Sequence, residues 1–259
     1  MLMPIIQSVD RALRILDLFD EHTTELKITE ISSLMRLNKS TVHSLLKTLQ
    51  KHHYIDQDED GGKYKLGMKL LERGNLVTSH LDIRTVARKY LLELSMKTGY
   101  TLHLVIQDGN EGVYIDKVEG TSATILYSRV GRRVSLHCSS VGKVLLAFKK
   151  KEELKQILKG YIYKKQTPNT ITNEKDFLKE LDQVKKEGYA IDREENEPAV
   201  SCIAVPIRNH LEEVIAAVSI SMPSPRLNDE EIDKIVPKLK QVGDDISRQM
   251  GYQHKVLSS

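Results

Sequence analysis

The stretch that decides the fold runs from Ile28 to Leu66, ITEISSLMRLNKSTVHSLLKTLQKHHYIDQDEDGGKYKL. Ile28, Ile31 and Leu34 keep a spacing of three, which predicts a short helix with Thr29 as its N-cap. Val42, Leu45, Leu46 and Leu49 fall at i, i+3, i+4 and i+7 behind Asn38, so a second helix with one buried stripe is expected there. After His53 the pattern changes. Tyr54-Ile55, the polar tip Asp56 to Gly62, and Lys63-Tyr64-Lys65-Leu66 read as a small hairpin. Working upstream, Ser8 to Phe19 predicts another helix, with Ser8 as cap and Val9, Leu13, Leu16 and Leu18 on its inner face. Three helices followed by a hairpin is the order of a winged helix-turn-helix.

The charge in this stretch is local. The chain has 39 Lys+Arg against 36 Asp+Glu, a net charge of +3 that by itself implies neither nucleic acid nor membrane. Between Ile31 and Ile55, however, there is no acidic residue, while Arg36, Lys39, Lys47 and Lys51 are present with His43, His52 and His53. A helix-turn-helix places the N-terminal residues of its second helix against base edges in the major groove. Lys39, Ser40 and Thr41 occupy the first turn, where backbone N–H groups and the helix dipole favour a phosphate oxygen. Thr41, His43, Ser44 and Lys47 follow on the outward face and are placed to touch bases. Double-stranded DNA is therefore the expected partner.

Beyond the hairpin, Met68, Leu71 and Val77 lie in a helical segment, and Ile83, Val86, Ala87, Tyr90, Leu91 and Leu94 make one apolar face of a helix from Asp82 to Lys97, ended by Gly99. The texture then alternates. Thr101 to Gln107, Val113 to Val118 and Ala123 to Ser128 predict antiparallel strands, with a turn at Asp108-Gly109-Asn110. Helices are expected at Gly142 to Phe148, Lys151 to Leu158 and Asn173 to Glu187. Two further strands, Ser201 to Ile207 and Val214 to Met222, precede a long helix from Asp229 to Met250, with Asn228 and Glu231 as a capping box. Strands beside strands and helices in blocks indicate an α+β fold. The expected domains are residues 1–66, a winged helix-turn-helix; 67–81, a linker helix; and 82–259, the α+β domain.

At 259 residues the chain is comfortable for two domains. Its two cysteines, Cys138 and Cys202, lie far apart without a C-x-x-C spacing, which argues against a disulfide framework or a zinc knuckle. Asp10, Arg11 and Arg14 arrive before any apolar run long enough for a signal peptide, and no stretch approaches a membrane span. A cytoplasmic protein with no membrane partner, no metal and no cofactor is expected.

Several strings in the chain are specific. Ser8-Val9-Asp10-Arg11-Ala12-Leu13, Thr29-Glu30-Ile31, Lys39-Ser40-Thr41-Val42-His43 and Tyr64-Lys65-Leu66-Gly67 resemble the DNA-binding domain of the IclR family of bacterial transcriptional regulators. Residues 136–143 (LHCSSVGK), 188–195 (GYAIDREE), 202–207 (CIAVPI) and 219–221 (SIS) are similar to that family's effector-domain signatures, so the resemblance spans nearly the whole chain. It implies a regulator, more readily a repressor than an activator, with a GAF-like C-terminal domain that binds a small organic acid, sugar acid or aromatic compound. A homodimer, extending to a dimer of dimers, is implied too, and twofold operators favour one independently. Three positions depart from the family pattern. Arg36 and Ala199 stand where glycine is usual, and Ser44 stands where arginine is common.

The effector site follows partly from the residues themselves. Ser139-Ser140-Val141-Gly142 leads into a helix whose unpaired N–H groups suit a carboxylate. Ser219 and Ser221 lie two apart on one strand and face the same side. The resemblance implies Ser140, the Val141 amide, Asp192, Cys202, Ser219 and Ser221 as the polar positions, and Leu126, Val134 and Val200 as the apolar wall. Asp192 would repel an anion unless it is protonated or accepts from a hydroxyl, which predicts an effector bearing both a carboxylate and a hydroxyl or hydrated carbonyl. The rival is a cysteine-dependent enzyme with Cys202 as nucleophile and His137 and Asp192 as base and orienter. No nucleophile motif surrounds Cys202, so a non-enzyme is expected. A zinc site at His137 and Cys138 with Cys202 and Asp192 is a weaker rival, because adjacent strand residues point to opposite faces. A thiol redox sensor is weaker still, with no resolving cysteine near either thiol.

Overall fold

The computed structural model describes residues 5–20, 22–58, 62–79, 82–121 and 128–252, and the chain divides into two compact units, Met1–His80 and Leu81–Ser259. In the first, α1 (Gln7–Leu16), β1 (Leu26–Lys27), α2 (Ile28–Met35), α3 (Lys39–Lys51), β2 (Ile55–Gln57), β3 (Lys63–Leu66) and α4 (Lys69–Ser79) follow in that order. Ile15, Ile31, Val42, Leu46 and Ile55 are fully buried and pack with Met35, Leu49 and Tyr64. The stripe read on α3 is thus the wall against which α1, α2 and the hairpin close. β3 is central in the small antiparallel sheet, with β2 on one side and β1 on the other. β1 is too short to show any alternation in sequence.

The helix starts differ from the expected ones. α1 begins at Gln7, because the Ile6 carbonyl accepts from the Val9 and Asp10 N–H groups; Ser8 therefore lies inside the first turn and caps nothing. The chain tightens after Leu16, with Leu18 and Phe19 donating three residues back. Ile15 is the buried anchor of α1, with Ala12 and Leu16 beside it, whereas Val9 and Leu13 are exposed. Lys27 stands at the N-cap of α2 instead of Thr29, and its N–H donates to the Glu30 carboxylate at 2.7 Å. Asn38 occupies the α3 cap position, but its side chain makes no cap hydrogen bond.

The second unit contains α5 (Asp82–Thr98), β4 (Thr101–Asp108), β5 (Glu111–Val118), β6 (Arg133–Ser135), α6 (Ser140–Ala147), α7 (Lys151–Leu158), α8 (Glu174–Glu187), β7 (Ala190–Arg193), β8 (Val200–Arg208), β9 (Val214–Pro223) and α9 (Asp229–Gln249). Its strands form one antiparallel sheet in the order β6-β5-β4-β9-β8-β7. One face carries Leu102, Leu104, Ile203, Val205, Val218 and Ile220 against α5 and α9. Val105, Ala190, Ala204 and Ala217 point the other way, toward α6 and α8. The mixed α+β class is as expected.

The caps at Asn173 and Asn228 form, each side chain accepting from the N–H three residues on. Glu231 does not close the box expected at Asn228; its carboxylate takes the Tyr100 hydroxyl at 3.1 Å. α6 starts two residues earlier than predicted, since Ser139 caps it by accepting from Gly142 N–H at 3.1 Å. Gly142 has a steric role: a Cβ there would lie 2.3 Å from the Leu136 backbone. Strand β7 was not expected as a strand. The predicted strand at 123–128 falls on residues outside those described except for Ser128, which is not in a strand, and Leu126 of the proposed pocket wall lies outside them too.

Candidate functional site

The first candidate surface is the outward face of α3. Lys39, Ser40, His43, Ser44 and Lys47 are exposed and Thr41 is half-buried, while Val42, Leu46 and Leu49 fasten the opposite side to the core. The turn into this helix bends at Arg36, whose backbone sits in the left-handed region at φ 52, ψ 43. There the Arg36 N–H donates to Ser33 O, the Leu37 N–H to Ser32 O, and the Ser32 hydroxyl to Leu37 O at 2.6 Å. Glycine would adopt this conformation without the Cβ penalty that arginine bears. Ser44 donates its hydroxyl to Ser40 O at 3.1 Å, and Lys47 Nζ donates to Gln50 Oε1 at 3.2 Å. Nearby acids have local tasks: Glu30 at the start of α2, Asp20 accepting from the His22 and Thr23 amides, and Glu25 paired with Lys63 at 3.3 Å.

The second candidate is a polar patch on the sheet face that otherwise packs against α6 and α8. Strand register aligns Asp192, Cys202, Ser221 and Thr101 in one row across β7, β8, β9 and β4, and Ala190, Ala204, Ser219 and His103 in the next. Cys202 Sγ and Ser221 Oγ share a hydrogen bond of 3.1 Å, Ser221 Oγ lies 3.4 Å from His103 Nδ1, and His103 Nε2 lies 2.7 Å from Ser128 Oγ. Asp192 Oδ1 accepts from the Glu195 and Asn196 N–H groups at 2.7 and 3.4 Å. Beside the patch a cavity of about 160 Å³ is bordered by Tyr114, Ser128, Arg132, Val134, Asn196 and Glu197. A larger cleft of about 780 Å³, bordered by Gln107, Lys150, Ile157 and Ile215, opens at the other ends of β4 and β9 and holds none of the predicted residues.

Burial dominates the electrostatics of this patch. It pushes the Asp192 carboxyl up to about 7, with Glu195 adding repulsion and the Glu195 N–H and Lys143 opposing it. Burial also raises the Cys202 and Tyr114 hydrogens well out of their usual range, and Cys138 to about 12; Asp192 adds to all three. His103 moves down to about 3, first through burial and then through Lys117. Near neutral pH the patch is therefore a set of uncharged donors and acceptors around one carboxyl poised to titrate. That arrangement orients a polar ligand better than it activates a nucleophile.

The sheet brings Asp192, Cys202, Ser219 and Ser221 together, with Val200 on the same face of β8 as Cys202 and Val134 at the cavity edge. Ser140 is 1% exposed at the start of α6, the Val141 side chain packs in the core, and neither residue borders the 160 Å³ cavity. Ala199 adopts φ 61, the left-handed backbone that suits glycine. The enzyme trio is not assembled. Both His137 ring nitrogens are occupied, by Tyr161 Oη and by Lys164 O, each at 3.0 Å, and the Cys202 thiol is raised where a nucleophile needs it lowered. The same occupancy removes His137 from a zinc site, and among the described residues no group of three or more His, Cys, Asp or Glu is placed to hold a metal. His103, Tyr114, Asn196 and Glu197 were missed by sequence reasoning. The alternation of β4 alone puts His103 on the inner face, but only the register sets it opposite Ser219.

Residues 8–59 match the description "IclR helix-turn-helix domain", and residues 75–248 match "Bacterial transcriptional regulator IclR C-terminal". The chain belongs to the IclR family. It is 54% identical to the HTH-type transcriptional regulator XynR of Escherichia coli over 250 residues, 96% of this chain and 99% of that protein. The solved IclR of Thermotoga maritima is similar at 36% identity and a TM-score of 0.79, covering 95% of this chain and 99% of that one. An IclR homolog from Microbacterium hydrocarbonoxydans, solved with 4-hydroxybenzoate, is similar at 25% identity and a TM-score of 0.81, over 94% and 98% of the two chains. As an IclR-family member the chain is a DNA-binding transcriptional regulator, and the enzyme reading has no support among its relatives.

Proposed function

We propose that this IclR-family regulator reads operator DNA through Arg36, Lys39, Ser40, Thr41, His43, Ser44 and Lys47, and that a small acid in the C-terminal unit controls its affinity for the operator. The winged helix-turn-helix comprises residues 1–66, a linker helix 67–81, and a GAF-like effector domain 82–259. It acts as a cytoplasmic repressor, as a homodimer that can pair into a dimer of dimers, because a twofold operator needs two reading helices about 34 Å apart.

One observation carries the effector reading: buried Asp192, Ser219, Ser221, His103 and Thr101 cluster with Cys202 on the sheet face whose neighbouring positions Val105, Ala190, Ala204 and Ala217 are apolar. These groups pair largely with one another, yet paired polar groups stabilise such a layer no more than aliphatic side chains of the same shape would, which supports a ligand-binding task. The Ser140 and Val141 amides take the carboxylate of an organic, sugar or aromatic acid, Asp192 accepts from its hydroxyl, and Val134, Val200 and Leu126 limit its size. The binding of 4-hydroxybenzoate, which carries both groups, by the Microbacterium homolog supports this chemistry.

A thermal-shift screen of hydroxy, keto and aromatic acids on the full chain tests it. A true effector raises Tm by mass action and loses that effect in Ser219→Ala/Ser221→Ala. Shifts that survive the double substitution would refute the site.

A further inference from the structure

We infer that Lys143, which lies behind the effector site, is a positioning residue that fixes Asp192 in its ligand-facing place. Lys143 is 1% exposed, and all three of its ammonium protons are used: Nζ donates to Ile191 O at 2.8 Å, Glu195 Oε1 at 2.6 Å and Glu180 Oε1 at 2.8 Å. Ile191 and Glu195 bracket Asp192, and the Glu195 N–H donates to Asp192 Oδ1. The lysine thus ties the end of β7, which carries Asp192, to Glu195 in the turn after it, whose amide holds the Asp192 carboxyl. It stands one helical turn after Ser140 on α6, so the same helix that offers the candidate carboxylate-binding amides also clamps the hydroxyl-binding acid. The two halves of the site are fixed relative to each other by one side chain.

The turn needs such a clamp. Glu194 sits in the left-handed region at φ 58 without being glycine. On the other side of the turn, the buried Thr167 and Thr170 hydroxyls donate to Glu194 O and Glu195 O at 2.6 and 2.7 Å. These bonds hold the backbone of the turn in place but do not reach the Ile191 carbonyl, which Lys143 takes, or the Glu195 carboxylate, on which Lys143 acts at 2.6 Å beside the Arg193 N–H at 3.4 Å. A purely structural position in an apolar layer is filled more cheaply by an aliphatic residue than by a buried ammonium that needs Glu195 beside it and the half-exposed Glu180 at its edge. The expense is explained if the charge sets the geometry of Asp192.

The inference rests on the effector-site reading, and the test separates the two. Amide hydrogen exchange is measured on the full chain for the wild type, Lys143→Met, and the charge-balanced Lys143→Met/Glu180→Gln/Glu195→Gln. Exchange at the Glu195 and Asn196 amides is expected to speed up at least 10-fold in both variants while the β4–β9 amides keep their protection. Unchanged exchange at those two amides, or failure of both variants to melt cooperatively, overturns the assignment. Calorimetric titration with 4-hydroxybenzoate then compares the wild type, Lys143→Met, Asp192→Asn and the double variant. Positioning predicts that the double variant binds no more weakly than Asp192→Asn, whereas independent losses that multiply mean that Lys143 does not act through Asp192. If the wild type fails to bind this acid, the effector reading for it is lost, and the exchange result alone decides the role of Lys143.

Discussion

Asp192→Asn should make the protein more stable at pH 8, by a margin that shrinks steadily as pH falls toward 4. In the fold this carboxyl titrates at about 7, against an ordinary value of 3.8, because burial penalises its charged form. Between these pH values the native state holds a proton that the unfolded chain has lost, so stability falls as pH rises through the window and stays reduced above it. The interval corresponds to about 4 kcal/mol at full ionisation. Asparagine keeps an acceptor for the Glu195 and Asn196 amides and never ionises. If half of that cost is recovered, the gain is about 2 kcal/mol, or roughly 4 to 8 °C in Tm for a domain of this size. His103 has the opposite dependence, losing stability as pH falls below 6.5, but it is common to both proteins and cancels in the difference. Paired calorimetric melts from pH 5 to pH 8.5 make the measurement. A difference that does not change with pH, or one that grows toward pH 5, would refute the placement of Asp192 as a buried acid.

Other consequences follow from named positions. Arg36→Gly relieves a left-handed backbone and should stabilise the first unit by up to about 1 kcal/mol, less the larger entropy of glycine in the unfolded chain, as read by urea denaturation. Gly142→Ala drives a methyl into the Leu136 backbone and should cost the effector domain about 3 kcal/mol; a loss under 0.5 kcal/mol would mean that α6 sits farther from Leu136. Cys202 and Cys138 should resist alkylation by iodoacetamide at pH 8 in the native protein and react fully in denaturant, since burial raises both thiols. Rapid native labelling of Cys202 would revive the nucleophile reading.

The legible parts of the fold were those whose signal is local. Val42, Leu45, Leu46 and Leu49 announce α3 because four positions within two turns must share one face, and the long helices α5, α8 and α9 repeat that pattern often enough to be unambiguous. α1 was harder. Its many apolar residues allow more than one inner face, and Ile15, not Val9 or Leu13, is the one the core takes. β1, β6 and β7 have two, three and four residues, too few for an alternation to stand out. The effector patch was half legible for a related reason. Ser219 and Ser221 share a strand and so declare a common face, whereas His103 joins them only through the β4–β9 register, which pairs residues more than a hundred positions apart. Lys143 reads in sequence as an ordinary helix lysine, and only packing reveals that it is buried and paired with Glu195 and the half-exposed Glu180.

The most direct test of the DNA-reading face is the salt dependence of binding to duplexes enriched by the full-length protein from a random pool. Fluorescence anisotropy across a range of salt concentrations compares the wild type with Lys39→Gln/Lys47→Gln, and with Lys175→Gln on the exposed side of α8 as control. Each lysine that contacts a phosphate contributes about 0.9 to the slope of log K against log salt. The α3 variant should bind more weakly and with a slope shallower by about one to two, while Lys175→Gln matches the wild type. Wild-type affinity and slope in the Lys39→Gln/Lys47→Gln protein would contradict the assignment of α3 as the helix that reads DNA.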